Sequence, residues 1–168
     1  MKHFTDISNR PGCYNPDGAM RKKIREAVDE TLNSEKIEFH CIMSVCVVGD
    51  DEIKELNNKY RNTDSVTDVL SFPMYGSMDE IRSAPPEDYE PRSRTSGLSI
   101  GDIILCESVI KEHAEEYSDS FENELLYMVV HSALHLLGYD HINGGTAAEE
   151  MKQKQDSIFE KIRIKYLI

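Results

Sequence analysis

The sequence predicts an α+β fold, a small mixed β-sheet of three to four strands with helices packed against it. Three observations carry that expectation. Apolar, β-branched runs alternate with amphipathic helical stretches, the last third of the chain is helical throughout, and no internal repeat or low-complexity tract interrupts the pattern. At 168 residues, of which 39% are apolar, the chain suits one core, so residues 1–168 are read as a single domain.

Residues 2–8 alternate weakly and predict a short strand, broken by Asn9, Arg10, Pro11 and Gly12. From Asp17 to about Leu32, Met20, Ile24, Ala27, Val28 and Leu32 fall on one helical stripe. IEFHCIMSVCVVG (37–49) predicts a buried strand. Asp50 or Asp51 is expected to cap the helix DEIKELNNKYR, whose first turn is acidic. TDVLSF (67–72), stopped by Pro73, and LSIGDIILC (98–106) predict two further strands. Between them, residues 76–97 hold three prolines and many charges, so a long unstructured connection is expected there, either a mobile functional flap or a tolerated surface insertion. Helices follow over Glu107–Tyr117, from Asp119 or Ser120 to Gly138, and from Thr146 to about Ile162.

Composition excludes several classes. No stretch approaches the ~18 apolar residues of a membrane span, and no apolar run follows a basic N-terminus as in a secretory signal, so a cytoplasmic protein without a membrane partner is expected. Cys13, Cys41, Cys46 and Cys106 lack metal spacing and are read as reduced; Cys41 and Cys46, five apart in a strand, should face opposite sides. The 19 basic against 31 acidic residues give a net charge of −12, which argues against indiscriminate coating of nucleic acid but not against a local basic cleft. The basic residues gather at Arg21–Arg25, at Arg61, and at Arg92 with Arg94.

The strongest signal is HSALHLLGYDH, residues 131–141. His131 and His135 stand one turn apart on a helix, which lets two imidazoles converge on one ion. Gly138 can turn the chain back so that His141 supplies a third nitrogen. Three neutral nitrogens plus water make the open tetrahedral arrangement of catalytic zinc, one ion per chain. With 6 histidines in the sequence, chance placement of two at these offsets from His131 is on the order of one in a thousand. The surrounding helix is apolar on nearly every side, which buries it and makes unpartnered imidazoles costly. The spacing equals that of metzincin proteases, a metzincin-like three-His site at the end of a buried helix, except that Ser132 stands where those enzymes place a glutamate base. Peptide hydrolysis by that route lacks its base, whereas an anionic, electrophilic phosphodiester remains a suitable substrate if a cation stabilises the developing charge.

YRNTDSVTDVLSFP (60–73) offers that cation in Arg61, placed at a helix end. Arg61 can fork onto phosphate oxygens or form a salt bridge with Asp64 or Asp68; the sequence leaves both open. Thr67 and Asp68 read as turn and strand-start residues. Asp102 of IGDI can orient a histidine or serve at an edge.

The pieces YRNTDSVTDVLSFP, IGDIIL and HSALHLLGYDH, in this order and followed by the AEEMKQKQDSIFEKI helix, resemble the YbeY family of rRNA maturation factors across nearly the whole chain. The resemblance implies a zinc-dependent, single-strand-specific endoribonuclease that matures the 3′ end of small-subunit (16S) rRNA and acts in ribosome quality control. It implies His131, His135 and His141 as metal ligands and Arg61 as the functional arginine. Single-stranded rRNA, small-subunit ribosomal proteins and an assembly GTPase are the expected partners, and DNA is not. Ser132 departs from the family's usual glycine and Val66 from its usual proline. Two other functions stay open at this point: a zinc hydrolase acting on peptide or amide bonds, and a non-catalytic assembly factor whose zinc holds the fold.

Overall fold

A computed structural model describes residues 1–92, 95–140 and 144–168. The chain runs β1 (Phe4–Asn9), α1 (Gly18–Ser34), β2 (Cys41–Val48), α2 (Asp50–Arg61), β3 (Val69–Pro73), α3 (Met78–Arg82), β4 (Tyr89–Arg92), β5 (Thr95–Cys106), α4 (Glu107–Glu116), α5 (Phe121–Leu136) and α6 (Gly145–Tyr166). The sheet is mixed and five-stranded, in the order β1-β2-β5-β3, with β4 hairpinned onto the start of β5. β1, β2 and β5 are mutually parallel, and β3 and β4 run antiparallel to β5.

The additional strand is β4, which lies in the stretch expected to be an unstructured connection. Residues 76–97 instead contain α3, a 3-10 turn at Pro86–Asp88, and β4. Ser77 caps α3 by accepting from Glu80 N, Ile81 is fully buried, and Met78, Ala84 and Tyr89 pack against the main core, so a charged segment is folded by a cap and a few apolar anchors.

Each helix start has a local cause. Asp17 accepts from Met20 N at α1, and Ser120 accepts from Asn123 N at α5. At α2 the cap is Gly49, not Asp50 or Asp51. The Asp50 carboxylate accepts from the Ser108 hydroxyl instead, and the acidic first turn with Lys59 and Arg61 in the last turn complements the helix dipole.

The sheet's two faces are unequal. One carries the main core, in which Met43, Val45, Val47, Ile103 and Leu105 meet α1, α5 and α6; the other buries Cys46, Val48, Leu70 and Cys106 under Ile53 of α2. Cys41 and Cys46 lie in different clusters, as their spacing requires, and all four cysteines are free. Helix α5 is buried on nearly every side, which agrees with its apolar sequence. Among the described residues no helix is long and apolar enough to cross a membrane.

Gly101 explains the glycine of IGDI. Its φ is +141°, and a Cβ there would lie 2.3 Å from the Phe72 carbonyl oxygen, so only glycine lets β3 approach β5 at this point. That approach places the edge strand β3 beside α5.

Candidate metal and phosphate site

His131 and His135 project from the last two turns of α5, with ring centroids 4.7 Å apart and ring planes at 80°. Their protonation follows from their partners. His135 Nδ1 lies 2.7 Å from the Tyr139 carbonyl oxygen, which can only accept, so Nδ1 carries the proton and Nε2 a lone pair. His131 Nδ1 lies 3.0 Å from Gln155 Oε1. The Gln155 amide nitrogen points at the Tyr127 carbonyl, 3.4 Å away, which leaves Oε1 as the acceptor and protonates His131 at Nδ1 too. The two Nε2 atoms converge to 3.1 Å. Two imidazole nitrogens brought together in this way, each ring oriented through its Nδ1, are a donor set that fits a metal ion.

The loop that follows is built to hold this geometry. After the cap at Leu137, Gly138 takes φ +90°, and Tyr139 N bonds back to Leu134 O at 3.1 Å. The returning Tyr139 carbonyl meets His135 one turn below. The Tyr139 hydroxyl donates to Glu35 at 3.0 Å, Lys154 donates to the same carboxylate at 2.6 Å, and the Lys154 ammonium lies 5.1 Å from the Tyr139 ring centroid. Burial alone would lower the Lys154 pKa, yet its bonds to Glu35 and Tyr139 outweigh burial and raise it. Residues of α1's C-terminal cap and α6 thus fix a carbonyl that orients a histidine. His141, the expected third ligand, lies outside the described residues.

A cleft of about 520 Å³ separates two walls. His131, His135, Tyr139 and Asp140 form one, and Arg61, Asp68, Ser71 and Pro73 the other. Arg61 is exposed, and its Nη2 donates to the Ser71 carbonyl at 3.0 Å. Asp64 pairs with Lys54 at 3.6 Å, and the Asp68 carboxylate accepts from Val69 N at 2.7 Å and from Thr67 Oγ1 at 3.0 Å. Among the described residues Arg61 therefore has no ion pair with Asp64 or Asp68, and it lines the cleft. Asp68 is the strand-start residue it was expected to be.

Other expectations are corrected. Asp102 is exposed and accepts from the Ser44 hydroxyl; alternation sends Ile103 toward α5 and Asp102 to the opposite face, so it orients neither described histidine. Ser132 is fully buried, its hydroxyl without a partner among the described residues, and it is not part of the cleft. Arg21 is spent on the Ile7 and Pro16 carbonyls and Arg92 on Asp6, so among the described residues Arg61 is the only arginine or lysine lining the cleft. Arg94 lies outside the described residues.

Gln155, the Tyr139 carbonyl and Ser71 escaped the sequence reading. Gln155 alone had left a signal, as an amide within the apolar Met151, Ile158, Ile162 stripe of α6.

Fold and site together define an α+β protein that sets a helix-borne histidine pair across a cleft from an arginine. The family described as Endoribonuclease YbeY matches residues 7–163. Relatives named Endoribonuclease YbeY include one from Lachnospira eligens, 36% identical and covering 85% of this chain and 88% of its own. One from Caldanaerobacter subterraneus subsp. tengcongensis is 37% identical, with 95% and 97% covered. The solution structure of a Thermotoga maritima protein superposes with a TM-score of 0.63 at 29% identity, covering 97% of this chain and 91% of that one. The chain belongs to the YbeY family.

Proposed function

We propose that this chain is a metal-dependent endoribonuclease that cleaves single-stranded RNA. The observation that carries the reading is the convergence of His131 Nε2 and His135 Nε2 to 3.1 Å in a cleft that Arg61 faces from the other wall. The names of the relatives, all Endoribonuclease YbeY, support RNA as the substrate. His131 and His135, with His141 as third ligand, would hold one zinc ion; when bound, such an ion supplies Lewis acidity and lowers the pKa of coordinated water to about 7. Arg61 contributes fixed positive charge toward a phosphate, in a protein whose net charge of −12 gives little general affinity for nucleic acid. Gln155 and the Tyr139 carbonyl keep both histidines in the tautomer that exposes Nε2.

The finer assignment follows the same reading: maturation of the 3′ end of 16S rRNA and ribosome quality control in the cytoplasm. With Arg61 the one arginine lining the cleft among the described residues, specificity comes by delivery, through small-subunit proteins or an assembly GTPase that raise the local concentration at the rRNA. The test compares metal-loaded and chelated protein on single-stranded RNA, on casein, and on pre-ribosomal subunits beside naked precursor rRNA. Chelator-sensitive RNA cleavage, more efficient on subunits, supports the proposal. Cleavage of casein alone, or of neither substrate, rejects it.

A further inference from the structure

Strand β3 is an edge strand, and its free edge lies along the cleft. The ladder to β5 is pinned at both ends, by Cys106 N to Asp68 O at 2.8 Å and by Met74 N to Ile100 O at 3.1 Å. In an antiparallel pair the bonding direction alternates, so Leu70 and Phe72 also face β5, while Val69, Ser71 and Pro73 turn their backbone groups to the free edge. The bond from Arg61 to the Ser71 carbonyl shows that direction independently.

Of those three edge positions, two have no N–H to offer. The Val69 N–H is taken by the Asp68 carboxylate at 2.7 Å, and Pro73 has none. Ser71 N–H alone is left, without a partner among the described residues, on a residue only 9% exposed. Leaving such a group unpaired is costly unless something in the cleft accepts from it. Because the Leu70 carbonyl of the same peptide plane faces β5, the direction of this N–H is fixed before any ligand arrives.

We infer that the backbone N–H of Ser71 donates to a non-bridging oxygen of the phosphodiester that Arg61 binds, which makes the β3 edge an anion cradle for the RNA backbone. The inference rests on the endoribonuclease reading and adds a second donor to it. A neutral amide beside one guanidinium suits a singly charged phosphodiester, and it supplies a hydrogen bond without adding a side-chain charge. Asp68 and Pro73 also block pairing of this edge with another strand, which keeps the Ser71 donor open to a ligand.

The test removes the donor alone. Ser71→Pro deletes the N–H at a position outside the ladder, where an edge strand tolerates proline as it does at Pro73; Ser71→Ala deletes only the hydroxyl. Cleavage of single-stranded RNA by Ser71→Pro should fall ~10²-fold below that of Ser71→Ala, the usual cost of one preorganised donor. With phosphorothioate linkages, the preference between the two diastereomers should differ between Ser71→Pro and Ser71→Ala. If Ser71→Pro does not fold, the wild type decides: the Ser71 amide resonance should move downfield on adding an uncleavable oligonucleotide with methylene-bridged phosphonate linkages. Equal cleavage by the two variants, or an unmoved Ser71 amide at saturation, overturns the Ser71 assignment and leaves the endoribonuclease reading standing. A wild type that neither binds nor cuts RNA overturns both.

Discussion

The two walls of the cleft are built on different principles. On the α5 wall, His131 and His135 stand on a helix buried on nearly every side, and each ring is held at Nδ1 by an acceptor from outside its own turn. On the β3 wall, Arg61 is exposed and anchored by one hydrogen bond to a strand edge. The difference suits the role proposed for each wall. Two imidazole nitrogens meant to share one ion, here 3.1 Å apart, need rings locked by the surrounding fold. A guanidinium meeting an incoming anion needs reach and charge more than rigidity. Substitutions on the first wall should therefore change metal retention, and those on the second only turnover.

Removing either imidazole is expected to give the largest effect. His131→Ala or His135→Ala should take metal content from about one equivalent to near none and abolish cleavage, because two-nitrogen sites bind far more weakly. Elemental analysis of the purified variants checks this, and full retention in both would dissolve the distinction between the walls. Arg61→Ala comes next, with cleavage down ~10²-fold while metal content and Tm stay at wild-type values. A variant that unfolds would show that the arginine belongs to the fold.

Smaller effects sharpen the comparison. Gln155→Leu should weaken metal binding ~10- to 100-fold in a chelator competition, as loss of an orienting partner does. Tyr139→Phe, which loses the bond to Glu35 but keeps the carbonyl, should fall at or below the lower end of that range. Unchanged affinity in Gln155→Leu would mean that the helix alone aligns the rings.

Acid stability probes the fold away from both walls. His3 is buried, with Nδ1 accepting from Cys41 N, and burial lowers its pKa from 6.5 to about 4. Between those values the unfolded chain binds the proton and the folded one does not. Stability should thus be lost as pH falls from 6.5 toward about 4, at roughly 1 kcal/mol per pH unit. His3→Gln, which can still accept from Cys41, should flatten that slope in chemical denaturation at several pH values. A slope as steep as wild type would assign the acid loss to other groups.

The α5 wall was the more legible one in sequence. The i, i+4 histidines, the all-round apolar helix and Gly138 are local features, and local features survive translation from sequence to structure because a helix fixes which residues share a face. The β3 wall was half legible. Arg61 was identifiable, but whether it pairs with Asp64 or Asp68 depends on their other partners, and those are Lys54, Val69 and Thr67. The segment 76–97 was misread because its prolines and charges outweighed Ser77 and Ile81, whose cap and burial need partners to take effect.

By itself the sequence determined the α+β class, the order of strands and helices outside residues 76–97, and the pairing of His131 with His135, since periodicity and spacing are properties of the chain alone. Only the tertiary structure decided what orients those histidines, because Gln155 lies 24 residues from His131 and the carbonyl that holds His135 is steadied by Glu35, 104 residues from Tyr139. It also decided that Asp102 faces away from α5 and that the Ser71 N–H is left over at the sheet edge. Those outcomes depend on strand order and register, which are set by how the whole apolar surface packs and not by any local pattern.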